Sequence, residues 1–295
     1  MPPAFDAPPD WRRLGPDWPH QRHSRFISAA RARWHVQVQG QGPVLLLLHG
    51  TGASAHSWHR LVPLLSAHWT LLSPDLPGHG FSSPVQGAAP SLEAMSEAVA
   101  GLLTQMGQAP VAVIGHSAGA AVAVQMLLEG RLPTVRSLVG INPAWLPLPG
   151  LAGWLFPPAA RLAAVQPLVA WLFARRSAHL VDGLLAQTGS RLRAEDAGYY
   201  RALLASPGHV RGALDMMAAW RLDELARRLP ELKLPVLMLL GEHDHTIPEA
   251  SQTRARERLP SAEVLRLAGV GHLVHEEAPD AVAQALEDWL SRTVR

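Results

Sequence analysis

The stretch Val111–Val124, VAVIGHSAGAAVAV, decides the fold. It opens on an apolar run, Val111 to Gly115, of the kind a strand shows when both of its faces are covered. It closes on small residues, Ala120, Ala121 and Ala123 among them, which suit a helix packed close to a sheet. Between the two sits Gly115-His116-Ser117-Ala118-Gly119. A serine in this pentapeptide occupies a sharp, strained strand-to-helix turn that lifts its hydroxyl above the sheet. Gly115 and Gly119 remove the side chains that so tight a crossing would crush. The plain alternative is that Ser117 is a turn residue and nothing more.

The same rhythm continues on both sides. Arg33–Gln39 alternates in polarity, as an edge or antiparallel strand does. Val44–Gly50, Trp69–Asp75, Val135–Asn142 and Val236–Asp244 are further apolar strand candidates, and Ala262–Gly269 is the last. Helical patterns lie between them. Ser91–Met106 starts on an N-cap serine with Glu93 and Glu97 early, and Pro279–Arg292 has Pro279 and Asp280 in its first turn. Strand–helix alternation of this kind folds as a mostly parallel sheet with helices on both faces. One interval breaks the pattern. From Pro143 to about Leu232 no strand is convincing, and the segment reads as a helical insertion. The expected organisation is an irregular N-terminal arm over 1–30, a core from 31–142 and 233–295, and a helical cap over 143–232.

Composition narrows the functional classes. The chain has 295 residues, 48% hydrophobic and 17% charged, with a formal net charge of +2. Lys233 is its sole lysine, and the positive charge is otherwise arginine. No clustered basic patch calls for a nucleic acid partner. There is no cysteine, which removes disulfides, thiolate metal sites and cysteine nucleophiles, and suits the cytoplasm. The N-terminus lacks the apolar stretch of a signal peptide. The longest uncharged stretch, Ser137–Ala160, holds Pro143, Pro147, Pro149, Pro157 and Pro158, which argues against a spanning helix.

A serine hydroxyl needs a base to act at neutral pH, and the base needs an acid to orient it. Asp244 ends the strand Val236–Asp244, at the sheet edge where catalytic groups gather. His272 follows in AGVGHLVHEEAP, just after the last strand. The order Ser117, Asp244, His272 is the order this topology delivers. Glu242 stands two residues from Asp244 and competes for its role. Asn142 ends its own strand but cannot ionise. Acyl transfer also needs N–H groups for a developing oxyanion. Ala118, after the serine, supplies one. The loop His49–Ser54 supplies the other, from Thr51, with Gly52 as second choice.

Together, LLHGTG, PDLPGHGFS, GHSAG, GEHDHTIP and GVGHLVHEEAP resemble the α/β-hydrolase superfamily over nearly the whole chain. The resemblance implies an α/β-hydrolase fold: an eight-stranded, mostly parallel sheet with a helical cap inserted after strand six, and a Ser117–Asp244–His272 triad. A serine at the elbow argues against the dehalogenases and epoxide hydrolases. DWPHQRHSRF, INPAWLPLPG and ALDMMAAWRLDELARRLP resemble more specifically the magnesium chelatase accessory proteins of bacteriochlorophyll biosynthesis (the BchO type). That resemblance implies a phototrophic bacterium and a role near magnesium insertion into protoporphyrin IX.

Other residues carry plainer readings. His116 and His49 suit packing and hydrogen bonding around the site, and the turn with Asp75, His79 and Ser82 suits a shape element. His243 and His245 flank Asp244 without a third metal ligand at a sensible spacing. No metal or organic cofactor is expected. The expected substrate contacts are Gly52, Trp145, Leu146 and Trp154. The apolar cap suits an apolar small molecule or a tetrapyrrole, or a peripheral contact with the photosynthetic membrane, or simple packing on the core. Arg161, Arg175 and Arg176 could meet carboxylates or lipid headgroups, or form a solvated face. Two functions follow. One is an esterase-like serine hydrolase. The other is a non-catalytic accessory that binds a tetrapyrrole or magnesium chelatase subunits.

Overall fold

The computed structural model describes residues 8–147 and 181–294. Trp154, Arg161, Arg175 and Arg176 lie outside the described residues.

Eight strands form one sheet in the order β1-β2-β4-β3-β5-β6-β7-β8. They are β1 (Ser24–Ala29), β2 (Ala32–Gly40), β3 (Val44–Leu48), β4 (Thr70–Pro74), β5 (Ala112–His116), β6 (Ser137–Ile141), β7 (Val236–Gly241) and β8 (Glu263–Leu267). β2 runs antiparallel to β1 and β4, and β3 to β8 pair in parallel. The long helices are α1 (Leu92–Met106), α2 (Ala118–Leu128), α3 (Ala194–Leu204), α4 (Pro207–Ala219), α5 (Asp223–Arg228), α6 (Glu249–Arg258) and α7 (Pro279–Thr293). α3, α4 and α5 fall between β6 and β7, in the interval expected to be helical.

The apolar strands divide their side chains between two layers with a period of two. Leu46, Leu48, Val113, Leu138, Met238 and Leu240 face α1 and α2. Leu45, Leu47, Ile114, Val139, Ile141 and Leu239 face α7 and the turn around Trp58 and Leu61. Each such leucine, wholly removed from water, stabilises by roughly 1.5–3 kcal/mol. These strands show no polar alternation because neither face meets solvent.

One expectation needs correcting. Residues 1–30 are not an irregular arm throughout, because Ser24–Ala29 is the edge strand β1. The hairpin to β2 turns on Ala30 and Arg31, both in the left-handed region at φ 47° and 60°. Such a turn ordinarily advertises itself by Asn-Gly or Asp-Gly. Ala-Arg carries no such signal. The turn is held from outside: a Cβ on Gly101 of α1 would stand 2.8 Å from the Ala30 Cβ.

Candidate active site

Parallel pairing of β3 with β5 sets Leu48 opposite Gly115. The loops that leave these two strands are therefore neighbours, and they carry Thr51 and Ser117. The strand order reverses direction at β3, and crevices open at such points in parallel sheets.

Ser117 sits at φ 50°, ψ −115°, a backbone state that costs a non-glycine residue roughly 1–3 kcal/mol. Its surroundings hold it there. Its N–H donates to the Ile141 carbonyl at 2.9 Å, and its own carbonyl accepts from Ala120 and Ala144, both at 3.1 Å. A Cβ on Gly119 would stand 2.1 Å from the Leu48 carbonyl oxygen. A Cβ on Gly115 would stand 2.4 Å from the Ala120 Cα. The elbow is thus a crossing of two backbones that has room for glycine alone.

His272 and Asp244 meet as side chains. His272 Nδ1 lies 3.0 Å from both carboxylate oxygens of Asp244. The Asp244 side chain is 1% exposed and that of His272 6%. Asp244 Oδ1 also accepts the Thr246 and Ile247 N–H groups, at 2.8 and 3.0 Å. This arrangement puts the proton on His272 Nδ1 and leaves Nε2 free to accept. Glu242 points elsewhere: it is exposed and accepts the Gly269 N–H at 2.9 Å. Among the described residues no hydrogen bond joins Ser117 Oγ to His272 Nε2. Bonds of this kind are often long without substrate and tighten on binding.

The loop that carries His272 is pinned from several sides. Asn142 Nδ2 donates to the Gly271 and His272 carbonyls at 3.1 and 2.9 Å. Asn142 Oδ1 accepts the Gly241 N–H at 2.9 Å. One amide thereby ties the end of β6 to the loops that carry Asp244 and His272. The Thr188 carbonyl accepts N–H groups from His245 and from His272, at 3.3 and 3.2 Å. His116 donates from Nε2 to the His272 carbonyl at 3.0 Å. Burial, reinforced by the neighbouring His275 and His272, holds the His116 pKa well below the usual imidazole value, so the ring stays neutral. Sequence reasoning weighed Asn142 only as a failed acid. Its amide has no periodic signature, and its role arises from residues about a hundred positions away.

The Ala118 N–H is the first of α2 and has no partner within the helix. Neither it nor the Thr51 N–H meets an acceptor among the described residues. His49 donates from Nδ1 to the Gly50 carbonyl at 2.8 Å, and its Nε2 accepts the Leu76 N–H at 2.8 Å. It therefore shapes the start of the loop His49–Ser54. Asp75 braces the other side, taking the Ala55 and Phe81 N–H groups at 2.7 and 2.8 Å and facing His35 Nδ1 at 2.9 Å. Burial alone would raise its pKa, but His35 and these donors outweigh it and hold the carboxyl at about 2.

Two expected substrate contacts land in the core. Trp145 is wholly buried and donates from Nε1 to the Ala120 carbonyl at 3.0 Å. It packs on Gly140, where a Cβ would stand 2.6 Å from the indole. Leu146 belongs to the same core layer. Gly52 remains at the loop tip, with φ 77° and open space around it. An apolar sequence context does not separate the two roles of Trp145, because an indole serves equally well as wall or as core.

Residues 43–279 match the family model for the alpha/beta hydrolase fold. The chain is 41% identical over 285 residues to the magnesium-chelatase 30 kDa subunit of Rhodobacter capsulatus, covering 95% of this chain and 99% of that one. It is 29% identical to the pimeloyl-[acyl-carrier protein] methyl ester esterase of Aeromonas hydrophila, covering 86% and 98%. Among solved structures, the epoxide hydrolase CorEH superposes with a TM-score of 0.77 at 23% identity, over 91% of this chain and 98% of that one, a likeness of fold alone. With its eight-stranded sheet and its match along most of the chain, the protein belongs to the α/β-hydrolase family, in the line of the magnesium-chelatase 30 kDa subunit.

Proposed function

We propose that this chain is a serine hydrolase that cleaves an ester, thioester or related acyl bond of an apolar substrate, and that it works in bacteriochlorophyll biosynthesis near magnesium insertion into protoporphyrin IX. The observation that carries the chemistry is the Asp244 carboxylate on His272 Nδ1 at 3.0 Å, beside a serine held in a strained turn. The pathway rests on similarity to a protein named as a magnesium-chelatase subunit.

His272 Nε2 takes the Ser117 hydroxyl proton as Oγ attacks the acyl carbon. The carbonyl oxygen becomes an oxyanion facing the Thr51 and Ala118 N–H groups. As the intermediate collapses, His272 returns the proton to the leaving group and an acyl-serine remains. Water then attacks the acyl carbon, giving a proton to His272, and the acyl–Oγ bond breaks as His272 returns that proton to Ser117 Oγ and the acid leaves. Asp244 keeps the imidazole in the required tautomer and stabilises its cation. Within the interval read as the cap, the described helix α4 lies against the Thr51 loop. The chain works in the cytoplasm, and peripheral contact of the cap with the photosynthetic membrane belongs to the same reading. No described helix is long and apolar enough to cross a membrane.

A fluorophosphonate probe tests the chemistry. It should label the wild type and spare Ser117→Ala. Folded wild-type protein that takes no probe and turns over no model ester would falsify the hydrolase reading.

The name of the Rhodobacter relative favours a second reading, a non-catalytic accessory that binds a tetrapyrrole or chelatase subunits. Rescue of a deletion strain by Ser117→Ala would select it. Titration with protoporphyrin IX and its magnesium complex, followed by Soret absorbance, would find the ligand.

A further inference from the structure

α4 presents His209, Gly212 and Met216 at spacings of three and four residues, hence on one face. All three touch the loops above β3 and β4. His209 Nε2 donates to the Gly52 carbonyl at 3.1 Å, and its Nδ1 accepts the Gly80 N–H at 3.0 Å. Gly212 lies backbone to backbone on Gly78: a Cβ there would stand 1.9 Å from the Gly78 carbonyl oxygen. The Thr51 hydroxyl donates to Met216 Sδ at 3.7 Å. The His209 ring is 1% exposed. Burial lowers its pKa to about 4, which agrees with a neutral ring that donates from one nitrogen and accepts at the other.

Within the core the tip of the oxyanion loop is weakly held. The turn Gly50–Ala53 closes on a single bond, from the Ala53 N–H to the Gly50 carbonyl, at 3.2 Å. Gly52, at its tip, has no packing neighbour where a Cβ would be. His49 and Asp75 fix the two ends of the loop and Ala53 packs with Val181, Tyr200 and Leu273, and at the tip α4 adds the contacts of His209 and Met216.

We propose that α4 clamps the oxyanion loop and that His209 is its positioning residue, so that the Thr51 N–H is aimed by the cap rather than by the core alone. The proposal rests on the serine-hydrolase reading for its catalytic consequence, but not for the clamp itself. His209 touches no reacting atom. It fixes one peptide of the loop through the Gly52 carbonyl, and it joins that loop to the Gly78–Gly80 turn. Losing a well-placed oxyanion donor typically lowers kcat by about 100- to 1,000-fold, and a misaimed one should lose less.

The test compares wild type, His209→Ala and His209→Gln in two assays. The first is hydrolysis of a p-nitrophenyl ester. His209→Ala should lower kcat by roughly 10- to 100-fold while KM stays within about threefold, because the donors act on the transition state and not on the ground state. His209→Gln, whose amide can both donate and accept, should recover part of the loss. The second assay is amide hydrogen exchange over residues 50–54, which should quicken in His209→Ala and less so in His209→Gln. Should His209→Ala not fold, Met216→Ala releases Thr51 from the same face and takes its place. Unchanged exchange over 50–54 overturns the clamp whatever the turnover. Faster exchange with kcat within twofold of wild type overturns the positioning role. If the wild type itself hydrolyses no ester and takes no fluorophosphonate, the hydrolase reading fails, and the exchange result alone decides whether α4 clamps the loop.

Discussion

Glu276→Gln should make this protein more stable at neutral and alkaline pH, although it removes a carboxyl from a hydrogen-bonded network. The Glu276 side chain is wholly buried. Its Oε1 accepts from the Ser57 hydroxyl at 2.5 Å and the Tyr200 hydroxyl at 2.6 Å, while Oε2 has no partner. Burial pushes its pKa up to about 8, against the opposing pull of those two donors, and Asp196 and Glu277 add to the rise. The folded state therefore keeps a proton that the unfolded chain gives up near the ordinary value of 4.5. Between those two values the unfolded state binds fewer protons, so stability falls as pH rises through that window. At 1.36 kcal/mol per pH unit, holding the proton costs about 3 kcal/mol at pH 7, and the penalty levels off above pH 8. Glutamine keeps the acceptor and never ionises. Its NH2 replaces the unpartnered Oε2, which costs about 1 kcal/mol more. The variant should thus be slightly less stable than wild type near pH 4.5 and about 2 kcal/mol more stable at pH 7. Urea unfolding of both proteins at pH 5, 6, 7 and 8 measures the difference. A gap that stays constant over that range, to within about 0.5 kcal/mol, would mean that Glu276 does not hold its proton and that the reasoning is wrong.

Other perturbations follow from the same geometry. Asn142→Asp keeps the acceptor for Gly241 but sets a carboxylate against the Gly271 and His272 carbonyls, so urea unfolding should show a loss of about 3 kcal/mol or more, exceeding that of Asn142→Ala. Alanine in place of glycine ordinarily strengthens a helix by about 1 kcal/mol. Gly119→Ala should do the reverse, cutting the soluble yield or lowering the melting temperature sharply, because its methyl would meet the Leu48 carbonyl at 2.1 Å. Ser117→Gly should relieve the strain at φ 50° and raise stability by about 1 kcal/mol over Ser117→Ala in the same assay, while both variants lose the fluorophosphonate label.

Several features were legible in the chain because their causes are local. An apolar run flanked by turns marks a strand buried on both faces, and five of the parallel strands have that signature. The elbow is written in five consecutive residues, and the clash that demands Gly115 arises between β5 and the helix that follows it, whereas Gly119 is demanded by the end of β3 at Leu48. The order of Ser117, Asp244 and His272 could be read because each follows a recognisable strand. β1 was not legible: its turn uses Ala30 and Arg31 in the left-handed region, with Ala30 packed against α1, and neither residue signals a turn.

The sequence by itself determined which side chains could do acyl chemistry and which strand ends present them. It did not determine which of them meet. Tertiary structure put Asp244 rather than Glu242 on His272, sent Trp145 into the core, made Asn142 a tie between two loops, and laid His209 on the loop at Gly52. Those pairings join residues from 25 to 157 positions apart. Neither helical nor strand periodicity relates such distant positions, so they become visible only when the sheet has set its strand ends side by side.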